Sequence, residues 1–229
     1  MKVYRIKLTS WTASFRYPNI MSGYQPTLLV PPVSTVLGIL NSCAGKYLVY
    51  DKLDIGYYFE YGGKISDIET IYQVELNSQN VPMNQMKSNI IRREILSDAQ
   101  LYIYLLDAGL VDLFRKPYYP LVMGRSSDLA TVEEIKELEL FESDASLYIK
   151  GQVIPFANYH LPGIIQALPK YFSNTIPRQN LGTEPYSVIP YDAAEYQSNI
   201  PTYRDTINGK PVDIYIHRLN FNEENERNN

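Results

Sequence analysis

The chain has 229 residues, 45% of them hydrophobic and 20% charged, enough to bury one sizeable core. Its net charge of −4 excludes a general nucleic-acid sponge, because non-specific binding depends on neutralising many phosphates with Lys and Arg. A single cysteine, no apolar run of membrane-crossing length and no signal-peptide pattern at the start exclude a disulfide scaffold and point to a soluble, cytoplasmic protein with no membrane partner, metal or cofactor.

From Val3 to Leu8, Tyr4, Ile6 and Leu8 share one face while Val3, Arg5 and Lys7 share the other, the period of a strand with one apolar and one partly basic side. Trp11, Phe15, Arg16 and Tyr17 follow in a loop. After Pro31-Pro32, Val36, Leu37, Leu40, Cys43, Ala44 and Tyr47 recur at helical spacing, with Ser34 where an N-cap would satisfy free backbone N–H groups. Two readings of this unit stand. One is the opening βα of a ferredoxin-like domain with its aromatics in the core. The other is an RNA platform, in which aromatic and Arg side chains stack on splayed bases and a helix N-terminus holds phosphate.

Asp54–Tyr61 and Lys64–Leu76 read as two strands joined in a hairpin by Gly62-Gly63. The polar stretch 77–88 reads as a loop. Asn89–Leu96 is a strand whose neighbouring Arg92 and Arg93 must point to opposite faces, and Ala99–Leu106 is another. A short helix over Ala108–Lys116 ends at Pro117, and a strand over Tyr119–Val122 leads into Met123–Ser127. There Gly124 allows a sharp turn, Arg125 offers a planar fork of donors and Ser126 a hydroxyl, a set able to grip a phosphate or base edge. Residues 131–144 carry six acidic groups against Lys136 and read as a solvated or protein-facing strand, not a metal site. Further on, Ser146–Pro155 reads as a strand, Leu161–Phe172 as a short helix, Asp213–Leu219 as a final strand and 220–229 as a fraying tail. Through Arg125 there are 13 Lys+Arg against 10 Asp+Glu, and beyond it 8 against 15. The expected organisation is a domain over 1–125, with a hairpin thumb near 77–88, and a β-rich elaboration over 126–229 that is not an independent domain.

Tyr4 to Leu40 with its Phe15-Arg16, Pro-Pro step and STVLGIL helix, NIIRREIL at 89–96, and YYPLVMGRSSDLA at 118–130 together resemble, in order, the fifth Cas family of CRISPR Cascade complexes, most closely the type I-B branch. The resemblance implies an α+β fold: a ferredoxin-like (RRM-like) RAMP core with a β-hairpin thumb and an irregular β-rich C-terminal part. It implies a non-catalytic subunit that caps the 5′ handle of the crRNA, docks the large subunit and the first backbone subunit, and meets target DNA only through the complex. The RNA contacts it implies are Trp11, Phe15, Arg16, Ser34, Lys46, Arg92, Arg93, Gly124, Arg125 and Ser126. In the thumb it adds Met83 and Met86 as apolar wedges at a base step and Lys87 as a phosphate contact.

The alternative is a metal-independent crRNA-processing endoribonuclease, since the type I-C branch of that family cleaves its precursor with a Tyr, Lys and His set. Such chemistry needs a base, an acid and a cation. The stretch where that branch carries its Lys-His pair holds Arg92-Arg93 here, and arginine is a poor proton shuttle. The two histidines, His160 and His217, lie well past it.

Overall fold

The computed structural model describes residues 1–18, 20, 23–143, 145–157 and 161–221, with the backbone alone at 84–86. His160, the tail from 222 on and the Met86 side chain lie outside the described residues. In chain order the elements are β1 (Lys2–Ala13), β2 (Phe15–Arg16), β3 (Tyr24–Gln25), β4 (Thr27–Leu28), α1 (Val33–Ala44), β5 (Lys52–Glu60), β6 (Gly63–Leu76), β7 (Pro82–Leu105), α2 (Ala108–Arg115), β8 (Leu121–Val122), β9 (Leu129–Glu139), β10 (Phe141–Glu142), β11 (Gln152–Pro155), β12 (Ile164–Pro169), β13 (Thr183–Ile189), β14 (Tyr203–Ile207), β15 (Lys210–Ile214) and β16 (Ile216–Asn220). The fold is β-rich, with several sheets and two helices among the described residues.

The main sheet runs β16-β5-β7-β1-β9-β8, every neighbouring pair antiparallel. Strand β1 alternates as its period of two requires. Ile6 and Leu8 enter the core with Val36, Leu37 and Leu40 of α1 and Val111 and Phe114 of α2, so both helices lie on one face. Val3 points the other way and packs with Tyr58, Tyr102 and Tyr104 against Ile207, Val212 and Ile214 of the β14-β15 sheet. The third layer, β11-β13-β12, closes on the helix-side core through Val153, Leu168, Tyr186 and Val188. Position 125 falls between β8 and β9 of one sheet, and the helix-side core extends from Ile6 to Val188.

Several expectations are corrected. The glycines at 62 and 63 do not make a hairpin: β5 and β6 run in the same direction and pair successively along one edge of β7, β5 against residues 100–105 and β6 against residues 82–97. The true turn is at 77–81, where Asn77 Oδ1 accepts from the N–H groups of Gln79 and Val81 and Asn80 takes φ +58°. The polar loop expected over 77–88 therefore shortens, and the two strands expected at 89–96 and 99–106 are one strand of 24 residues. Between the two pairings, whose register with β7 is the same, sits Asp98, φ +51°, opposite Gly62, where an added Cβ would meet Asp98 Oδ2 at 2.9 Å. Ser34 does not cap α1. Pro32 holds that position in extended geometry, and its carbonyl accepts from Thr35 and Val36, so Ser34 lies inside the first turn.

Residues 161–172 form no helix. Ile164 to Pro169 pair with β13 as a strand, consistent with β-branched residues set between Pro162 and Pro169. The strand expected over 146–155 contracts to β11 plus a bridge from Ser146 to Ser198, and the final strand divides at Tyr215 into β15 and β16.

His217, on β16, lies neutral in the core with its ring stacked on Tyr57 at 5.6 Å and 9°. Burial drives its pKa down to about 4, only partly offset by a hydrogen bond to the Val153 backbone. An unfolded histidine titrates near 6.5, so the unfolded chain gains the proton first as pH falls. The stability due to neutral His217 is complete above about pH 6.5 and is lost toward pH 4, a span worth about 3 kcal/mol. His217→Phe, which keeps an aromatic ring against Tyr57, is expected to flatten that slope, as measured by urea unfolding at a series of pH values.

Candidate nucleic-acid interface

Helix α1 buries Val36, Leu37, Leu40 and Cys43 and turns a face of short side chains, Ser34, Thr35, Gly38, Asn41 and Ser42, toward an open groove of about 570 Å³. Short residues leave the helix backbone approachable. The far wall is built by segments that α1 itself anchors. The N–H groups of Tyr118 and Tyr119 donate to the carbonyls of Cys43 and Ser42 at 3.0 and 3.1 Å, satisfying acceptors that the end of a helix leaves free. Gly45 takes φ +68° to end the helix, and a Cβ there would strike the Tyr118 ring. Gly124 also lines the groove. Its φ is +113°, and a Cβ would meet the Ser14 carbonyl at 2.0 Å, so only glycine lets this loop close against the end of β1.

Two cations, Lys46 and Arg178, line the same groove, both exposed and neither in an ion pair among the described residues. Tyr47 lines the groove with them, stacked on Tyr171 at 5.0 Å and 19°. Asn41 Nδ2 donates to the Tyr171 hydroxyl at 2.7 Å, and that hydroxyl donates to the Leu48 carbonyl, which fixes the ring pair. Tyr119 is half exposed and meets Tyr118 edge-on at 4.7 Å. Unpaired positive charge beside partly exposed aromatic faces suits an anionic, base-bearing strand.

The sequence-predicted residues divide. Ser34, Lys46 and Gly124 meet in this groove. Phe15 is corrected: it is 3% exposed and packs edge-on against Phe59 at 5.3 Å, a core residue and not a surface stacker. Arg93 and Arg125 are both held in ion pairs. Arg93, 6% exposed, donates to Glu69 at 2.8 Å, and Arg125 donates to Glu69 and, through Nε and Nη2, to Asp128. Asp128 is fully buried and also accepts from the Thr12 hydroxyl and the Arg125 N–H. Burial opposes ionisation of Glu69 and Asp128. The arginine hydrogen bonds outweigh it and hold both carboxyls below their usual range.

Arg16, Arg92 and Ser126 are exposed but do not line the groove. Met83 and Lys87 lie on the hairpin of β6 and β7, Lys87 paired with Glu75 at 2.6 Å. Trp11 is on the opposite face of the sheet from α1. Arg178, Tyr47 and Tyr119, which also line the groove, were not foreseen there. The Tyr118-Tyr119 pair was a visible signal, whereas Arg178 sits in a proline-broken region with no periodicity to place it. His217 does not line the groove.

No family model and no curated protein matches the sequence. Among solved structures the fold is similar to a chain of a CRISPR RNA-guided surveillance complex, with a TM-score of 0.54 and 14% identity over 85% of this chain and 91% of that one. Weaker likenesses are to a chain of the Type III-B Cmr-beta bound to cognate target RNA and AMPPnP (TM-score 0.49, 10% identity, 86% of each chain) and a CRISPR protein from Archaeoglobus fulgidus (TM-score 0.47, 12% identity, 96% of this chain and 100% of that one). At 14% identity the first establishes a shared fold.

Arg125→Ala would leave Asp128 buried and unpaired, and is expected to cost about 3 kcal/mol of unfolding free energy. Arg92→Ala, on an exposed site, is expected to stay within about 0.5 kcal/mol. Equal effects in chemical denaturation would contradict the ion network.

Proposed function

We propose that this chain is a non-catalytic subunit of a type I CRISPR surveillance complex that holds the 5′ handle of the crRNA. The observation that carries the reading is the α1 groove, with unpaired Lys46 and Arg178 beside Tyr47 and Tyr119, on a fold similar to a chain of an RNA-guided surveillance complex. The order β5-β7-β1-β9, with α1 linking β1 to β5 and α2 linking β7 to β9, supports reading the centre as a ferredoxin-like RAMP core. The β6-β7 hairpin is then the thumb, a lengthened continuation of the core's own β5-β7 pair.

In this reading handle phosphates lie along the short-residue face of α1, within reach of Lys46 and Arg178, and bases stack on the tyrosines. Guide pairing reads the target DNA, and the protein fixes the end of the guide. The thumb reaches the first backbone subunit, and other surfaces meet the large subunit. Protein chemistry on RNA is not needed for this role, and His217, neutral in the core, is no candidate base. Type I-B is the subtype proposed, on the sequence resemblance of residues 4–40, 89–96 and 118–130.

Binding of the repeat-derived handle RNA, followed by fluorescence anisotropy across a salt series, tests the reading. Lys46→Ala and Arg178→Ala are each expected to weaken binding and to lower the slope of log K against log salt by about 0.7, one phosphate contact on a single strand. A double variant that binds like wild type at every salt concentration would remove the groove from the reading. Site-specific cleavage of the RNA in the presence of EDTA would make the protein a processing endoribonuclease instead.

A further inference from the structure

The face of the main sheet turned away from the helices is covered at one end only. Over Val3, Tyr102 and Tyr104 it is sealed by the β14-β15 sheet. Along the same face of β1 the cover stops after Lys7, and the strand ends on Trp11, 89% exposed. On the neighbouring strand Leu129, just before the partner of Ser10, is 61% exposed. Together with Thr9, Gln100 and Thr131 they surround a shallow depression of about 260 Å³. An indole and a leucine left bare side by side at the end of an otherwise covered face are a common mark of an interface anchor.

Charge identifies the class of partner. The ionisable residue lining the depression is Asp98, and Lys7, two residues before Thr9 on the same face of β1, is tied to Glu133 at 2.9 Å. A phosphate backbone meets carboxylate here, not unpaired cation. The α1 groove, with its free Lys46 and Arg178, lies on the other side of the sheet, so a strand bound there cannot also stack on Trp11 without passing round the sheet's end.

Resting on the functional reading above, we infer that Trp11 and Leu129 form the anchor of a docking surface for a protein subunit of the same complex, one that offers an apolar slot with a neutral or basic rim, and that RNA does not occupy it. Trp11 is the single tryptophan of the chain, which gives the test its probe. The chain is produced with 5-fluorotryptophan and followed by fluorine NMR, first alone, then with handle RNA, then with guide RNA and the other subunits of its complex. The expected result is one solvent-exposed resonance, unmoved by handle RNA and shifted on assembly. In parallel, Trp11→Ala, which removes a side chain outside the core, should bind handle RNA as wild type does while losing at least about tenfold in affinity for one protein subunit.

A shift caused by handle RNA alone would overturn the inference in favour of base stacking. A concentration-dependent shift in the chain alone, abolished by Trp11→Ala, would overturn it in favour of a second copy. An assembled particle with RNA bound and the resonance unmoved would overturn it while leaving the functional reading intact. Failure to bind handle RNA or to assemble at all would overturn both.

Discussion

Glu69 accepts hydrogen bonds from two arginines, Arg93 across the β6-β7 ladder and Arg125 from the loop after β8. Arg125 passes the link on to buried Asp128, and Asp128 to Thr12 near the end of β1. One ionic chain thus ties the hairpin, the loop and the first strand. Each of its charges is removed from water to a degree that only mutual pairing offsets, so losing one member strands the next. The loop that carries Gly124 into the groove and the base of the projecting hairpin consequently keep a fixed relation to each other.

The same constraint explains how a strand of 24 residues serves two parts of the molecule. Strand β7 pairs with β1 and β5 in the body and with β6 in the arm. The change falls at Asp98, where a positive φ and the close approach of Gly62 mark the passage from β5 to β6 while the register along β7 is kept. Just beyond that point Glu94 accepts from Tyr24, Lys64 and the Thr27 N–H, holding the loop of residues 23–28 against the arm's base, while β3 adds a parallel edge. The arm then runs out with Ile68, Tyr72, Val74 and Ile90 exposed. A two-stranded ribbon with no sheet beneath it is marginal by itself, and here its root is clamped by ions on one side and a hydrogen-bonded carboxylate on the other.

Much of this was legible where a period carried it. The alternation of Val3 to Leu8 and the helical spacing of Val36 to Cys43 gave the right elements because each buries one face against a single core. Phe15 misled because composition cannot say whether an aromatic beside an arginine faces water; its partner Phe59 is 44 residues away in sequence. Arg93 and Arg125 misled for a related reason. A guanidinium suits phosphate and carboxylate equally, and the carboxylate that claims both, Glu69, lies on a strand with no local signal of that role. The collinear run of β5 and β6 was hidden by Gly62-Gly63, whose usual meaning is a turn. Residues 161–172 read as helical from a short apolar run, and the ladder of 164–169 with β13 overrode that local preference.

The acidic second half has a direct bearing on where positive charge remains. Strand β9 lies beside β1, and its carboxylates take up the cations that the sequence displays there: Glu137 with Lys2, Glu134 with Arg5, Glu133 with Lys7, while Asp205 holds Arg5 from the covering sheet. With salt screening charges over about 8 Å at physiological ionic strength, what a ligand meets is this local balance and not the net charge. Cations near carboxylates are spent, and Lys46 and Arg178, set on the helix side of the sheet away from β9, are in no ion pair among the described residues. A protein that is acidic overall can therefore still present cations that its own carboxylates leave unpaired, Lys46 and Arg178 in the groove among them. The acidity and the groove are two parts of one electrostatic arrangement.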